Sequence, residues 1–250
     1  MFPNLLGEFL GTMTLVAFGD SVVANLVLKD TKGNGAGWVH VNWGWAFGLM
    51  MGIYVAWAYG AGEADLNPAV TIFKFLVGGH YDSIAQVIAT IAAEVAGGVA
   101  GGVVVYLLYL NHWACTEDPG LKLAVFSTGA ARRDYGANFL TEVIATFFLI
   151  MGIQAIVKCL GPAGSDANVV NLNLLPFMIG GLLYALGAGM GGTTGYGMNP
   201  ARDMGPRIAH AILPIPGKGS SDWQWGFIVA TAGPIVGGLL AVAAFKASGW

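Results

Sequence analysis

In 250 residues, apolar side chains make up 56% and charged ones 10%, glycine occurs 39 times, and the formal net charge is −3. Soluble domains carry about 25% charged residues and about 7% glycine, so these numbers, with a mean hydropathy of +0.66, argue against a water-soluble globule and a soluble enzyme. The acidic balance supplies no basic stripe for nucleic acid. Cys115 and Cys159 stand far apart and match no metal-ligand or redox spacing.

A helix crossing about 30 Å of hydrocarbon needs about 20 mostly apolar residues. In chain order, runs of this kind predict six spans, at 5–28, 39–59, 84–110, 139–158, 174–190 and 225–245. The first is not read as a cleavable leader, because no basic residue precedes it and Glu8 interrupts it. Two further apolar stretches, 68–77 and 200–213, are too short to cross, and each opens on a proline, Pro68 or Pro200. Proline suits the first helical position, where its missing N–H would be unpaired anyway. Both stretches are predicted half-helices entered through irregular backbone, which is tolerated at membrane depth only where it is buried in protein or lines a wet cavity. Two of them imply a pore or a central binding site.

The chain also repeats itself. Leu66-Asn67-Pro68-Ala69-Val70 is echoed by Met198-Asn199-Pro200-Ala201-Arg202, 132 residues on (199 − 67), and Glu8-Phe9-Leu10-Gly11-Thr12 by Glu142-Val143-Ile144-Ala145-Thr146, 134 residues on (142 − 8). Each half then holds three spans and one half-helix. Since three is odd, the second half enters from the opposite side and both half-helices point toward the midplane. The expected organisation is one domain over 1–250, with repeats at about 1–110 and about 137–250. Lys74, Lys158 and Lys246 fall on the side of the termini, against Lys29, Lys32, Lys122, Arg132, Arg133, Arg202, Arg207 and Lys218 on the other. A bare count of loop charges would place the termini outside.

Paired Asn-Pro-Ala triplets at the heads of two half-helices resemble the major intrinsic protein family of aquaporins and glycerol facilitators. The second triplet extends as Gly197-Met198-Asn199-Pro200-Ala201-Arg202-Asp203-Met204-Gly205-Pro206, and Gly233-Pro234-Ile235-Val236-Gly237 in the last span also matches. The resemblance covers essentially the whole chain. It implies an all-α membrane protein of six transmembrane helices plus two re-entrant half-helices, with both termini cytoplasmic, in a homotetramer with one pore per subunit in the cytoplasmic membrane. It further implies passive flux of glycerol, other small uncharged solutes and water, exclusion of protons and ions, and no cofactor or metal. Asp203, Arg207 and Tyr109 resemble the glycerol-conducting branch. Ala230 and Thr231 depart from it, as do Asp65, where histidine is common, and Glu94, where glutamine is.

Residue chemistry fits these implications. Asn67 and Asn199 each offer an amide donor beside the positive end of a half-helix, so a passing hydroxyl is oriented and cations are repelled. By the resemblance, Trp45, Gly187, Tyr196 and Arg202 form the selectivity constriction, and Glu8 and Glu142 brace the re-entrant loops. Carbonyls of 63–66 and 195–198 are expected to form an acceptor ladder, since helix geometry cannot pair them all. Glu63 and Asp65 are expected at a solvated mouth, where carboxylates would discourage anions or make permeation pH dependent. Small residues four apart, such as Gly7/Gly11, Gly97/Gly101 and Gly98/Gly102, predict close helix crossings. Trp38, Trp43, Trp223 and Trp225 predict an interfacial belt. The rival readings are a water-selective channel, a facilitator of small neutral acids such as lactic acid, and a proton-coupled transporter. Asp20 has no assigned role.

Overall fold

The computed structural model describes residues 2–160 and 166–249, without the side chains of 166–172. Helices follow in the order α1 (Leu5–Val27), α2 (Trp38–Ala58), α3 (Pro68–Val77), α4 (Ile84–Leu108), α5 (Pro119–Phe126), α6 (Tyr135–Lys158), α7 (Asp166–Met190), α8 (Pro200–Ile212), α9 (Trp223–Phe227) and α10 (Gly233–Ala247). A π-helical turn, Ile228–Ala232, joins the last two into one run. Among the described residues there is no strand.

Five of these runs are long and apolar enough to cross a bilayer: α1, α4, α6, Asn173–Met190 within α7, and Trp223–Ala247. The sixth predicted span is α2. Its 21 residues extend ~31 Å at ~1.5 Å per residue, while its tryptophans, His40 and Asn42 lower its hydropathy. The predicted half-helices are α3 and α8. Helix α5 was not predicted; Asp118 caps it by accepting from the Gly120 N–H at 2.7 Å, and Pro119 fills its first position. The π turn has a local cause. Pro234 has no N–H to give the carbonyl one helical turn back, and the widened turn lies immediately before Gly233-Pro234. It contains Ala230 and Thr231, the two departures from the family pattern.

Packing crosses the repeats. Helix α3 lies on α10, and α8 lies on α4, so each half-helix is sheltered by the last span of the other half. The contacts are matched. A Cβ on Gly98 of α4 would stand 2.5 Å from the Ala201 carbonyl oxygen, and one on Gly238 of α10 would stand 3.2 Å from that of Ala69. Helices α1 and α2 touch through backbone, since a Cβ on Gly11 would meet the Gly52 carbonyl at 2.8 Å and one on Gly52 the Gly11 carbonyl at 2.8 Å. Large apolar residues such as Phe18, Phe47, Leu140, Phe148 and Leu240 are exposed instead. Such a surface suits lipid rather than water. One predicted belt residue is not at the surface: Trp225 is fully buried and donates its indole N–H to Thr128 Oγ1 at 3.2 Å.

Gly98→Ala is expected to destabilise the protein by about 1–3 kcal/mol, the usual cost of overpacking, whereas Gly129→Ala, with nothing within 4 Å of the added carbon, is expected to be neutral. Thermal unfolding midpoints in detergent compare the two.

Candidate functional site

The heads of α3 and α8 meet, and their asparagines lock them together. Asn67 caps α3 by accepting from the Ala69 N–H at 3.0 Å, and Asn199 caps α8 by accepting from the N–H groups of Ala201 at 2.9 Å and Arg202 at 3.1 Å. Each side-chain amide then reaches across. Asn67 Nδ2 donates to the Met198 carbonyl at 2.9 Å, and Asn199 Nδ2 donates to the Leu66 carbonyl at 2.7 Å. Capping and crossing together use the amide oxygen and one of the two N–H donors of each asparagine. The second N–H remains.

Three oxygens of the expected carbonyl ladder are already engaged. Leu66 and Met198 oxygens accept these crossing bonds, and the Glu63 oxygen accepts from Lys74 Nζ at 2.9 Å. Both loops reach this geometry through left-handed backbone at matched positions: Ala64 (φ 43°) and Leu66 (φ 52°) in the first, Tyr196 (φ 39°) and Met198 (φ 47°) in the second. Such conformations persist where surrounding contacts over-determine them. Here carboxylates do so. Glu8 accepts from the N–H groups of Asp65 at 3.0 Å and Leu66 at 2.9 Å; Glu142 accepts from those of Gly197 at 3.1 Å and Met198 at 2.8 Å. Glu94 adds a third brace that the sequence left unexplained, accepting from the Asn67 N–H at 3.0 Å and from Thr71 Oγ1 at 2.7 Å.

A cavity of about 250 Å³ runs past both asparagines. Helices α3 and α8 leave these heads in opposite directions, so Lys74 and Arg202, which both line the cavity, lie on opposite sides of the asparagine pair. Toward Arg202 the walls include Trp45 and Tyr196, and the guanidinium carbon sits 3.8 Å from the Trp45 ring centroid. Gly187 is close by without lining the cavity. A Cβ there would stand 2.8 Å from Tyr196 Cζ and 2.6 Å from Asn42 Oδ1, so its missing side chain makes room for the tyrosine ring. Trp38 meets that ring edge-on at 5.6 Å and donates to the Gly187 carbonyl at 3.0 Å. Asp203 points away from the cavity. It pairs with Arg207 at 2.7 Å and accepts from the Thr128 N–H at 2.8 Å, tying α8 to the segment after α5.

At the other mouth the expectation of two solvated carboxylates fails for Asp65. Its side chain is fully buried, paired with Lys74 Nζ at 2.5 Å and accepting from the Tyr81 hydroxyl at 2.6 Å and from Thr71 at 3.0 Å. Glu63 is partly exposed and holds Lys74 at 2.8 Å and His80 Nδ1 at 3.0 Å. Burial pushes the Glu63 carboxyl up, and the Lys74 ammonium with His80 outweighs it, leaving the group below the ordinary carboxylate range. Thr71, Lys74 and Tyr81 were not singled out from the sequence. The spacing of Lys74 three residues after Thr71, on the face of α3 turned to Asp65, was the available signal.

The major intrinsic protein family model matches residues 2–245. Among curated relatives, the probable glycerol uptake facilitator protein of Thermotoga maritima is 46% identical over 241 residues, covering 96% of this chain and 97% of the relative. Glycerol uptake facilitator protein 3 of Lactiplantibacillus plantarum is 47% identical over 243 residues, covering 97% and 95%. The crystal structure of the aquaglyceroporin from Plasmodium falciparum shares the fold, with a TM-score of 0.79 at 24% identity over 98% of this chain and 95% of that one.

Glu142→Gln replaces one of two N–H acceptors by a donor, so it is expected to lower stability by about 1–3 kcal/mol and to reduce solute flux at equal protein, measured by thermal unfolding and stopped-flow light scattering. For Glu63 the sign follows from its depressed pKa: its ion pair with Lys74 contributes fully above the unfolded carboxylate value of about 4.3 and is lost only as pH falls through the lower folded value. Solute flux is therefore expected to stay level from pH 5 to 8.

Proposed function

Because the chain belongs to the major intrinsic protein family, we propose that it is a passive channel, not an enzyme, carrying glycerol and other small uncharged solutes together with water. The observation that carries this reading is the pair of half-helices meeting head to head across a continuous cavity, each presenting an asparagine whose remaining N–H donor is available to a passing hydroxyl. A solute oxygen accepting there sits between two positive helix ends. Its own hydrogens then point outward along the cavity, which breaks a proton-conducting chain, and the same positive ends repel cations. The names of the two facilitator relatives support glycerol as the solute.

Roles follow for individual residues. Asn67 and Asn199 are the orienting donors, Pro68 and Pro200 start the half-helices, and Glu8 and Glu142 fix the loops. Arg202 replaces part of the solute's hydration at a constriction walled by Trp45 and Tyr196, where the carbon skeleton of a polyol lies against the rings; Gly187 gives Tyr196 its place. Asp203 marks the glycerol-conducting branch. The two repeats, about 1–110 and about 137–250, make one channel domain. The protein works as a homotetramer in the cytoplasmic membrane, with both termini cytoplasmic, and the Glu63 and Asp65 mouth then faces the cytoplasm.

Stopped-flow light scattering of proteoliposomes tests the reading with water, glycerol, dihydroxyacetone and lactic acid. Vesicles are expected to shrink and then refill rapidly under a glycerol gradient, with dissipation only and no uphill accumulation; fast water flux beside negligible glycerol flux would overturn it. Tyr196 is buried and its hydroxyl has no protein partner among the described residues. Tyr196→Phe is accordingly expected to change the ratio of lactic acid to glycerol flux by about 2- to 10-fold, the equivalent of one hydrogen bond.

A further inference from the structure

Around Glu94, on α4, the hydrogens do not add up if every carboxyl group is ionised. Glu94 is fully buried. Its Oε1 lies 3.0 Å from the Asn67 nitrogen and 2.7 Å from Thr71 Oγ1, while Oε2 has no hydrogen-bond partner among the described residues. Thr71, equally buried on α3, faces a second carboxyl group as well, with Oγ1 3.0 Å from Asp65 Oδ2. Both O···O separations are those of O–H···O hydrogen bonds, and each needs a hydrogen between its oxygens. A threonine hydroxyl has one. Thr71 can donate to Glu94 or to Asp65, and the other contact takes its hydrogen from a carboxyl group.

Which of the two carries that hydrogen follows from their other partners. Asp65 is paired with Lys74 at 2.5 Å and accepts from the Tyr81 hydroxyl at 2.6 Å on the same Oδ2 that faces Thr71, the setting of an ionised group. Glu94 makes no ion pair among the described residues, and Lys74 is already taken by Asp65 and Glu63. A further carboxyl group is close by, since Glu8 holds the N–H groups of Asp65 and Leu66, and Glu94 holds that of Asn67, the next residue along. A buried carboxylate without a cation is costly, and such a group takes up a proton instead. As a neutral acid Glu94 gains one O–H donor and keeps acceptor capacity for the Asn67 N–H.

We propose that Glu94 is a positioning residue of Asn67 and acts as a neutral carboxylic acid, taking the Asn67 N–H while donating its own hydrogen to Thr71 Oγ1. The hydrogens then run one way, from Glu94 to Thr71 and from Thr71 to Asp65, and the chain ends at the Lys74 ammonium. Asn67 is fastened to α4 and to its own half-helix without a further charge beside a pathway for uncharged solutes. The positioning role rests on the reading of Asn67 as an orienting donor; the place of the hydrogen does not.

Infrared spectra of the purified protein at neutral pH test that place, because protonated and ionised carboxyl groups absorb in separate regions. Relative to the parent, Glu94→Gln is expected to lose one protonated-carboxyl band, and loss of carboxylate absorption instead overturns the proposal. Thr71→Val removes the acceptor of the hydrogen and is expected to move that band to higher frequency; a band left where it was overturns the direction of the bond. Flux in proteoliposomes, read for glycerol and for water, tests the positioning. Glu94→Leu leaves the Asn67 N–H without an acceptor and is expected to lower both by about fivefold or more, as for one buried donor left unmet, whereas Glu94→Gln, which can accept and donate as the neutral acid does, is expected to stay within about twofold of the parent. Parental flux in Glu94→Leu, or equal losses in both variants, overturns the role. Should Glu94→Leu not reconstitute, the two spectra and the flux of Glu94→Gln decide. A parent protein that passes water and no glycerol defeats the glycerol reading alone, since the spectra and the water flux still apply.

Discussion

A peptide group in hydrocarbon has no water to bond, and this constraint governs the molecule. Two helices that stop at the midplane expose unpaired N–H groups at their heads and unpaired carbonyls in the loops that reach them. Left unmet, each costs several kcal/mol in a bilayer. The protein meets the cost from within. Asn67 and Asn199 cap their own half-helices and bond the opposite loop, so each head satisfies the other. Glu8, Glu94 and Glu142 take the loop N–H groups that remain on the outer side. The second N–H of each asparagine is left over at the wall of the cavity, which is where a polar solute is useful.

The scarcity of charge in the composition follows from the same constraint. A buried charge is tolerable when it is paired or saturated with hydrogen bonds, and nearly all of those retained at depth are one or the other. Asp203 and Arg207 bind α8 to Thr128 and to the segment before α9, while Asp65 and Lys74 bind α3 to its own entry loop. The glycines serve the complementary purpose. At Gly11 and Gly52, and at Gly98, backbone lies against backbone so closely that a methyl group would collide, and the helices can converge tightly enough to shelter the half-helices.

Much of this was legible in the sequence. Runs of apolar residues located the spans because hydrocarbon thickness fixes their length, and the repeated Asn-Pro-Ala located both half-helices because proline and asparagine each have a mechanical reason to stand there. Glu8 and Glu142 were readable from their matched positions in the two halves. The crossing bonds were not, because they join residues more than 130 positions apart, and a list of carbonyls does not reveal which are already taken. Asp65 was misread for a related reason: solvated and clasped carboxylates look alike until Lys74, Thr71 and Tyr81 are brought around one of them. Trp225 shows the limit of a position-only rule, since an aromatic at a span end can face the protein as readily as the interface.

The halves are alike in backbone and unlike in charge, and the difference lies in the side chains beside the two half-helices. The left-handed residues recur in both loops 132 positions apart (196 − 64, 198 − 66), and each half-helix rests on a glycine of the opposite repeat. Onto this common frame the first half places carboxylates and a captured lysine at its mouth, while the second places an arginine stacked on tryptophan. Placed on side chains that flank the frame, the charges make one mouth net acidic and the other basic without disturbing the bonds that hold the asparagines. Side chains such as Asp65 and Tyr196 can therefore differ between the halves while the crossing between Asn67 and Asn199 is left intact.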